Sequence, residues 1–297
     1  MSYVAMDHAE YEGRIATMDR WSESVRQELA KLISENPAKV IYHYTDVRAL
    51  IGMITSGRIW ATHVSRLNDA MEYEIGVSFV TDFIRVNLQR ASKPIIDKAI
   101  SRLRSVDTFI ACYSAAANVL SQWRAYSGTG TGYCIGLKTS EMATIDGRMP
   151  LLEKVIYSKT TAESVLSLLL ARVEEFLHDH DFGEVEVGYL MGMLEGTFNN
   201  VACIIKHSAF EEENEYRQIY QPARSALSLD TKYRMGRFGL TPYVEIGFLE
   251  RGKLPVQSIM IGPCRDPDSE TRSLKLMLSE HGYGDVEVFT SGIPLRV

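Results

Sequence analysis

A chain of 297 residues, 45% hydrophobic and 24% charged, is long enough to bury a substantial core and too apolar to be disordered. Its formal net charge of -6 excludes a global cationic field drawing it to nucleic acid or anionic lipid, while leaving local basic patches open. The four cysteines (Cys112, Cys134, Cys203, Cys264) lie far apart with no C-x-x-C pair, which argues against a zinc ribbon or a disulfide framework and suits a reducing cytoplasm. The opening "MSYVAMDHAEYEGR" lacks the apolar centre of a signal peptide, and runs such as "VLSLLL" are too short to span a bilayer. The expectation is a cytoplasmic protein with no membrane association.

Residues 5–35 read as a helix, with Val25, Leu29 and Leu32 on one face. "ENPAK" breaks it and "VIYHY" follows as a short strand. Asp46 is placed to cap the helix "VRALIGMITS", which should stop at Gly57. "RIWATHV" reads as a second strand, and Asn68 and Asp69 are placed to cap a helix from about Ala70. Residues 70–104 read as two helices split near Pro94. "DTFIACYS" is a strand, "VLSQWRAYS" a short helix, and "GTGTGYCIGL" a glycine loop entering a strand. Two long helices follow, over about 161–178 and 184–206. "NEYRQIYQ", "YVEIGFL" and "VQSIMIGP" are strands, "SETRSLKLMLSEH" a helix, and "DVEVFTSGIPLRV" a closing strand. Several successive strands have no helical crossover between them, which predicts an α+β fold with a mixed or antiparallel sheet. With no repeat and no linker, the simplest division is an N-terminal helical extension over 1–38 and a single α+β domain over 39–297.

Four stretches carry candidate chemistry. His43 and Tyr44 end the first strand, where a histidine either binds a substrate hydroxyl or caps the next helix; His63 has a weaker claim of the same kind. "FEEENEYRQIY" sets Glu213 and Glu215 two apart at a predicted strand start, on one face with α-carbons roughly 6.6 Å apart, and Arg217 continues that face. Such a pair tends to push the two carboxyl pKa values apart, which suits cleavage at a sugar C1 through an oxocarbenium-like transition state; a solvated strand edge gives the same pattern. "SQWRAYSGTGTGY" supplies Gln122, Trp123, Arg124 and Tyr126 before alternating glycines, but it has no G-K-[ST] and no helix after the loop, so it is not a P-loop. "TKYRMGRFG" gathers Lys232, Arg234 and Arg237 among aromatics, as a pyrophosphate contact or a solvated loop would. His178 and His180 of "HDHD" are i,i+2 and would face different ways on a helix, so no metal is expected.

Taken together, "YHYTDVRALIGMITSGRIWATHVSRLND", "FIACYS", "LSQWRAYSGTGTGYCIGL", "HSAFEEENEYRQIY" and "FTSGIPLRV" resemble, in order and spacing, the bacterial family called domain of unknown function 2971, from about residue 40 onward. The opening segment is also similar to diphtheria-toxin-like and DarT-like ADP-ribosyltransferases, in which a strand histidine grips NAD and a late strand carries the catalytic glutamate, sometimes as E-x-E. That second resemblance implies an ADP-ribosyltransferase-like fold and an NAD-dependent transferase or NAD glycohydrolase, in a toxin or phage-defence role. It implies Glu215 for the oxocarbenium ion, Glu213 for the acceptor and His43 for a ribose. Tyr113 or Tyr126 would stack on nicotinamide, and Arg124, Arg217 or Arg234 would hold phosphates, with Tyr44, Thr45, Ser114, Gln122 and Trp123 around NAD. Which glutamate acts, and whether the acceptor is protein, nucleic acid or water, stay open. The alternatives are a non-catalytic nucleotide- or partner-binding sensor and a metal-independent nuclease-like hydrolase. The first helix, outside the family segment, is a candidate homodimer or partner contact.

Overall fold

The computed structural model describes residues 8–33, 38–67, 70–87, 93–127, 131–142, 152–179, 184–222, 229–236, 239–248 and 252–294. The chain forms two compact units from alternating segments: 1–35, 71–106 and 156–207 make the first, and 36–70, 107–155 and 208–297 the second.

The first unit is helical: α1 (His8–Ile33), most of α3 (Ala70–Asn87), α4 (Lys93–Ser101), α6 (Lys159–Asp179) and α7 (Glu184–Ile204). The apolar stripe of α1 buries Met18, Val25 and Leu29, and Trp21 stacks on Phe176 of α6 with ring centroids 4.4 Å apart. That part of the helix face is used within the chain, while Leu32 stays exposed. Val77, Val80 and Ile84 of α3 join Leu194, Phe198 and Val201 of α7 in the buried set. α3 and α7 meet closely at Gly76, where a Cβ would lie 2.0 Å from the Ala202 carbonyl.

The second unit holds every strand described: β1 (Val40–Asp46), β2 (Arg58–His63), β3 (Phe109–Ser114), β4 (Gly132–Lys138), β5 (Leu152–Lys154), β6 (Glu215–Tyr220), β7 (Lys232–Gly236), β8 (Gly239–Gly247), β9 (Val256–Ile261) and β10 (Glu287–Thr290). α2 (Val47–Ser56), α5 (Leu120–Tyr126) and α8 (Pro267–Glu280) accompany them. The sheet order is β10-β9-β4-β1-β3-β2-β8-β7, with β6 on β3 and β5 on β6. Among the described strands only β9 and β10 run parallel, so the predicted α+β fold with a mixed sheet holds. The predicted punctuation of α2 holds too: Asp46 accepts from the Ala49 amide at 2.8 Å, and Gly57 closes the helix at φ 64°. Two strands were not expected: β5, and β7 in the stretch read as a basic loop. The Asn68–Asp69 cap, Gly128, Gly130, His180 and Arg237 fall outside the described residues.

Candidate functional site

The second unit's sheet forks at β3. β6 follows one edge of β3 along its whole length, from Phe109↔Tyr220 to Ser114↔Glu215. The other edge is shared: β2 pairs at Phe109 and Ile110, and β1 pairs only where Tyr42 meets Ser114. Between these pairings β1 parts from β3, and a backbone carbonyl in the gap needs another donor. The Cys112 carbonyl finds it in His43 Nδ1, 2.9 Å away.

That bond fixes the chemistry of His43. A carbonyl only accepts, so Nδ1 carries the proton and Nε2 presents a lone pair. Burial lowers the pKa of His43, the Cys112 bond opposes this, and the positive charge of Arg234 lowers it further. The ring is thus held neutral, and among the described residues Nε2 has no hydrogen-bond partner. Its ring lies 5.6 Å from that of Tyr113, whose hydroxyl donates to Gln218 Oε1 at 2.7 Å. Burial drives the Tyr113 phenol well above its usual range, so it stays a donor.

Arg234 comes from β7. The cross-strand registers Lys232↔Tyr243 and Arg234↔Thr241, then Tyr243↔Thr62 and Glu245↔Trp60, line up one stripe across β7, β8 and β2. Lys232 is ion-paired with Glu245 at 2.7 Å. Arg234 instead donates from Nη2 to Thr62 Oγ1 at 2.9 Å and lies over the rings of Trp60 (5.3 Å) and Tyr243 (5.6 Å). It is half-buried, burial lowers its pKa, and Tyr243 and Asp46 partly offset this.

The remaining candidates divide. Glu215 and Arg217 share a face of β6, as expected, and both are buried. Arg217 Nε and Nη2 grip Glu215 Oε1 and Oε2 at 2.7 and 3.0 Å. The expected common face for Glu213 and Glu215 is corrected. Glu213 ends a 3-10 helix (Ser208–Glu213) and Asn214 takes φ 43°, so the strand begins only at Glu215. By strand alternation Glu215 lies on the other face of the β3–β6 pair from Tyr113, and no hydrogen bond or ring contact joins His43 to Glu213, Glu215 or Trp123. Ser114 is structural, donating to the Glu213 carbonyl at 2.6 Å and accepting from the Ala116 amide.

Tyr44 and Trp123 meet edge-on at 4.8 Å in a small core with Cys134, with half-buried Tyr126 packed against it. The Tyr44 hydroxyl donates to the Ala116 carbonyl and accepts from the Val119 amide, and Trp123 Nε1 donates to Asn118 Oδ1. Their polar atoms are therefore used in holding the loop before α5. Thr45 is buried opposite Tyr133, Gln122 is buried on α5, and Arg124 is exposed there. Sequence reading missed Trp60, Thr62 and Tyr243. The signal that would have found them is the period-2 alternation of Lys232, Tyr233, Arg234 and Met235, which marks a strand and so a neighbour for each cation.

Residues 122–218 match a family described as a protein of unknown function, DUF2971. The match bears out the resemblance drawn from the motifs and runs from Gln122 through Gln218, covering α5, β4, β5, α6, α7 and most of β6. No curated protein and no solved structure matches the chain. No helix among the described residues is long and apolar enough to cross a membrane.

Proposed function

We propose that the fork of the second unit binds a nucleotide of the NAD class, with His43 Nε2 accepting a hydrogen bond from a ribose hydroxyl. The observation that carries this reading is an imidazole whose Nδ1 is held by the Cys112 carbonyl and whose Nε2 has no hydrogen-bond partner among the described residues, with burial and the charge of half-buried Arg234 both lowering its pKa. A histidine in that state accepts from hydroxyls and repels no cation, as recognition of a ribose next to a nicotinamidium ring requires. Four free thiols, Cys134 and Cys203 of them buried, suit a reducing cytoplasm.

Catalysis on that nucleotide, as ADP-ribosyl transfer or NAD hydrolysis, is the second reading, favoured by one feature of the glutamate pair. The oxocarbenium-like transition state needs a fixed carboxylate beside C1. Glu215 has both oxygens gripped by Arg217, whereas Glu213 is half-exposed next to the start of β6. Glu213, half-exposed and so within reach of a ligand, is the carboxylate this reading gives to the step, and a protein or nucleic-acid acceptor and a toxin or phage-defence role belong to the same reading. The test is nicotinamide release from NAD by purified wild type, Glu213→Gln and Glu215→Gln. Loss on the order of a hundredfold in Glu213→Gln supports catalysis there. NAD binding with no release by wild type leaves a nucleotide-binding sensor, and the absence of NAD binding removes both readings.

A further inference from the structure

Arg234 is a half-buried charge with no ion-pair partner among the described residues, and its neighbours are arranged for a particular kind of ligand. On the same face of β7, Lys232 is neutralised by Glu245 at 2.7 Å. Arg234, two residues on, has no carboxylate within ion-pair range among the described residues. Asp46 attracts it through space, but that carboxylate accepts from the Ala49 amide as the cap of α2. Of the five guanidinium N–H donors, the hydrogen bond found takes one, from Nη2 to Thr62 Oγ1. Taking a cation partly out of water without an ion-pair partner is costly, and an anionic ligand would offset that cost.

The surroundings fix the direction of the guanidinium. The Trp60 and Tyr243 rings lie 5.3 and 5.6 Å from its carbon, contacts that leave its edges as the hydrogen-bonding part. Trp60 is itself pinned, because a Cβ on Gly52 of α2 would come within 2.6 Å of its ring. Its Nε1 is buried and has no acceptor. A planar, ring-backed guanidinium with free edge donors matches two oxygens of a phosphate group, whereas a lysine would offer a point charge.

We infer that Arg234, held by Thr62, Trp60 and Tyr243, is an oxyanion subsite that takes a phosphate or diphosphate group. This rests on the reading of the fork as a ligand site and names the chemistry of the ligand's charged half. The diphosphate of a dinucleotide and a free inorganic diphosphate share that chemistry, and the titrations below separate them.

The experiment is calorimetric titration of the full chain at fixed ionic strength with inorganic pyrophosphate, ADP-ribose and adenosine. Variants are Arg234→Met and Arg234→Lys, each checked for native circular dichroism. One pyrophosphate per chain is expected, weakened about tenfold or more by Arg234→Met and a few-fold by Arg234→Lys. Absence of pyrophosphate binding, or equal binding by Arg234→Met and wild type, overturns the inference; if Arg234→Met does not fold, Arg234→Lys decides, and unchanged affinity there overturns it. Pyrophosphate binding through Arg234 with no binding of ADP-ribose or NAD keeps the anion subsite and removes the nucleotide reading. ADP-ribose binding that Arg234→Met leaves untouched does the reverse.

Discussion

His43, half-buried, and Arg217, fully buried, show two ways in which this chain handles an ionisable group taken out of water. His43 is kept neutral, so its folded-state pKa lies below the unfolded value of about 6.5. Between those two values the unfolded chain binds more protons at this residue, so the stability His43 contributes is fully present above about pH 6.5 and falls as pH drops toward the folded pKa. The melting temperature of wild type should therefore decline more steeply from pH 7.5 to 5 than that of His43→Gln, and parallel curves would contradict the assignment. Arg217 is paired with Glu215. Arg217→Met leaves a buried carboxylate without its bidentate partner and should cost on the order of 3 kcal/mol, read from the denaturant midpoint. The shared face of Glu215 and Arg217 was legible in the sequence because period-2 alternation is a local rule. The extension of that face to Glu213 was not, because the positive φ of Asn214 ends the 3-10 turn and starts the strand one residue later. Asparagine tolerates that conformation, but nothing in "EENEY" marks that Asn214 adopts it.

At the level of elements, the segments with strong local punctuation were readable. Asp46 and Gly57 bound α2 as capping chemistry requires, and Gly57 is doubly constrained. Its φ is 64°, and a Cβ would sit 2.0 Å from the Gly252 carbonyl. Gly57→Ala should destabilise by about 1–3 kcal/mol. Gly13→Ala, within α1 with open space around it, should be neutral or stabilising by up to about 1 kcal/mol. Chemical denaturation of both variants checks the contrast, and similar midpoints would contradict the backbone argument. β7 was not readable in the same way. It is a five-residue edge strand, largely exposed and carrying two cations, and its strand character comes from pairing with β8 rather than from its own composition. Missing β7 hid the stripe that brings Arg234 to Thr62 and Trp60, and with it half of the candidate site.

At the level of the whole molecule, the chain alternates between a helical unit and a unit holding all the described strands, so neither is a continuous stretch of sequence. Composition and irregular alternation were enough to foresee α+β. The division into units was not foreseeable, because it depends on which distant helices share a core, such as Trp21 with Phe176. The fork likewise arises from non-local pairing: β1 and β2 divide one edge of a strand that begins at Phe109, and His43 fills the gap. The most direct test of this site is calorimetric titration of NAD into the full chain, wild type against His43→Gln, at pH 7.5. The account predicts saturable binding at one NAD per chain, weakened about tenfold or more in the variant by loss of the Nε2 acceptor. Undetectable binding, or equal affinity in wild type and His43→Gln, would contradict it.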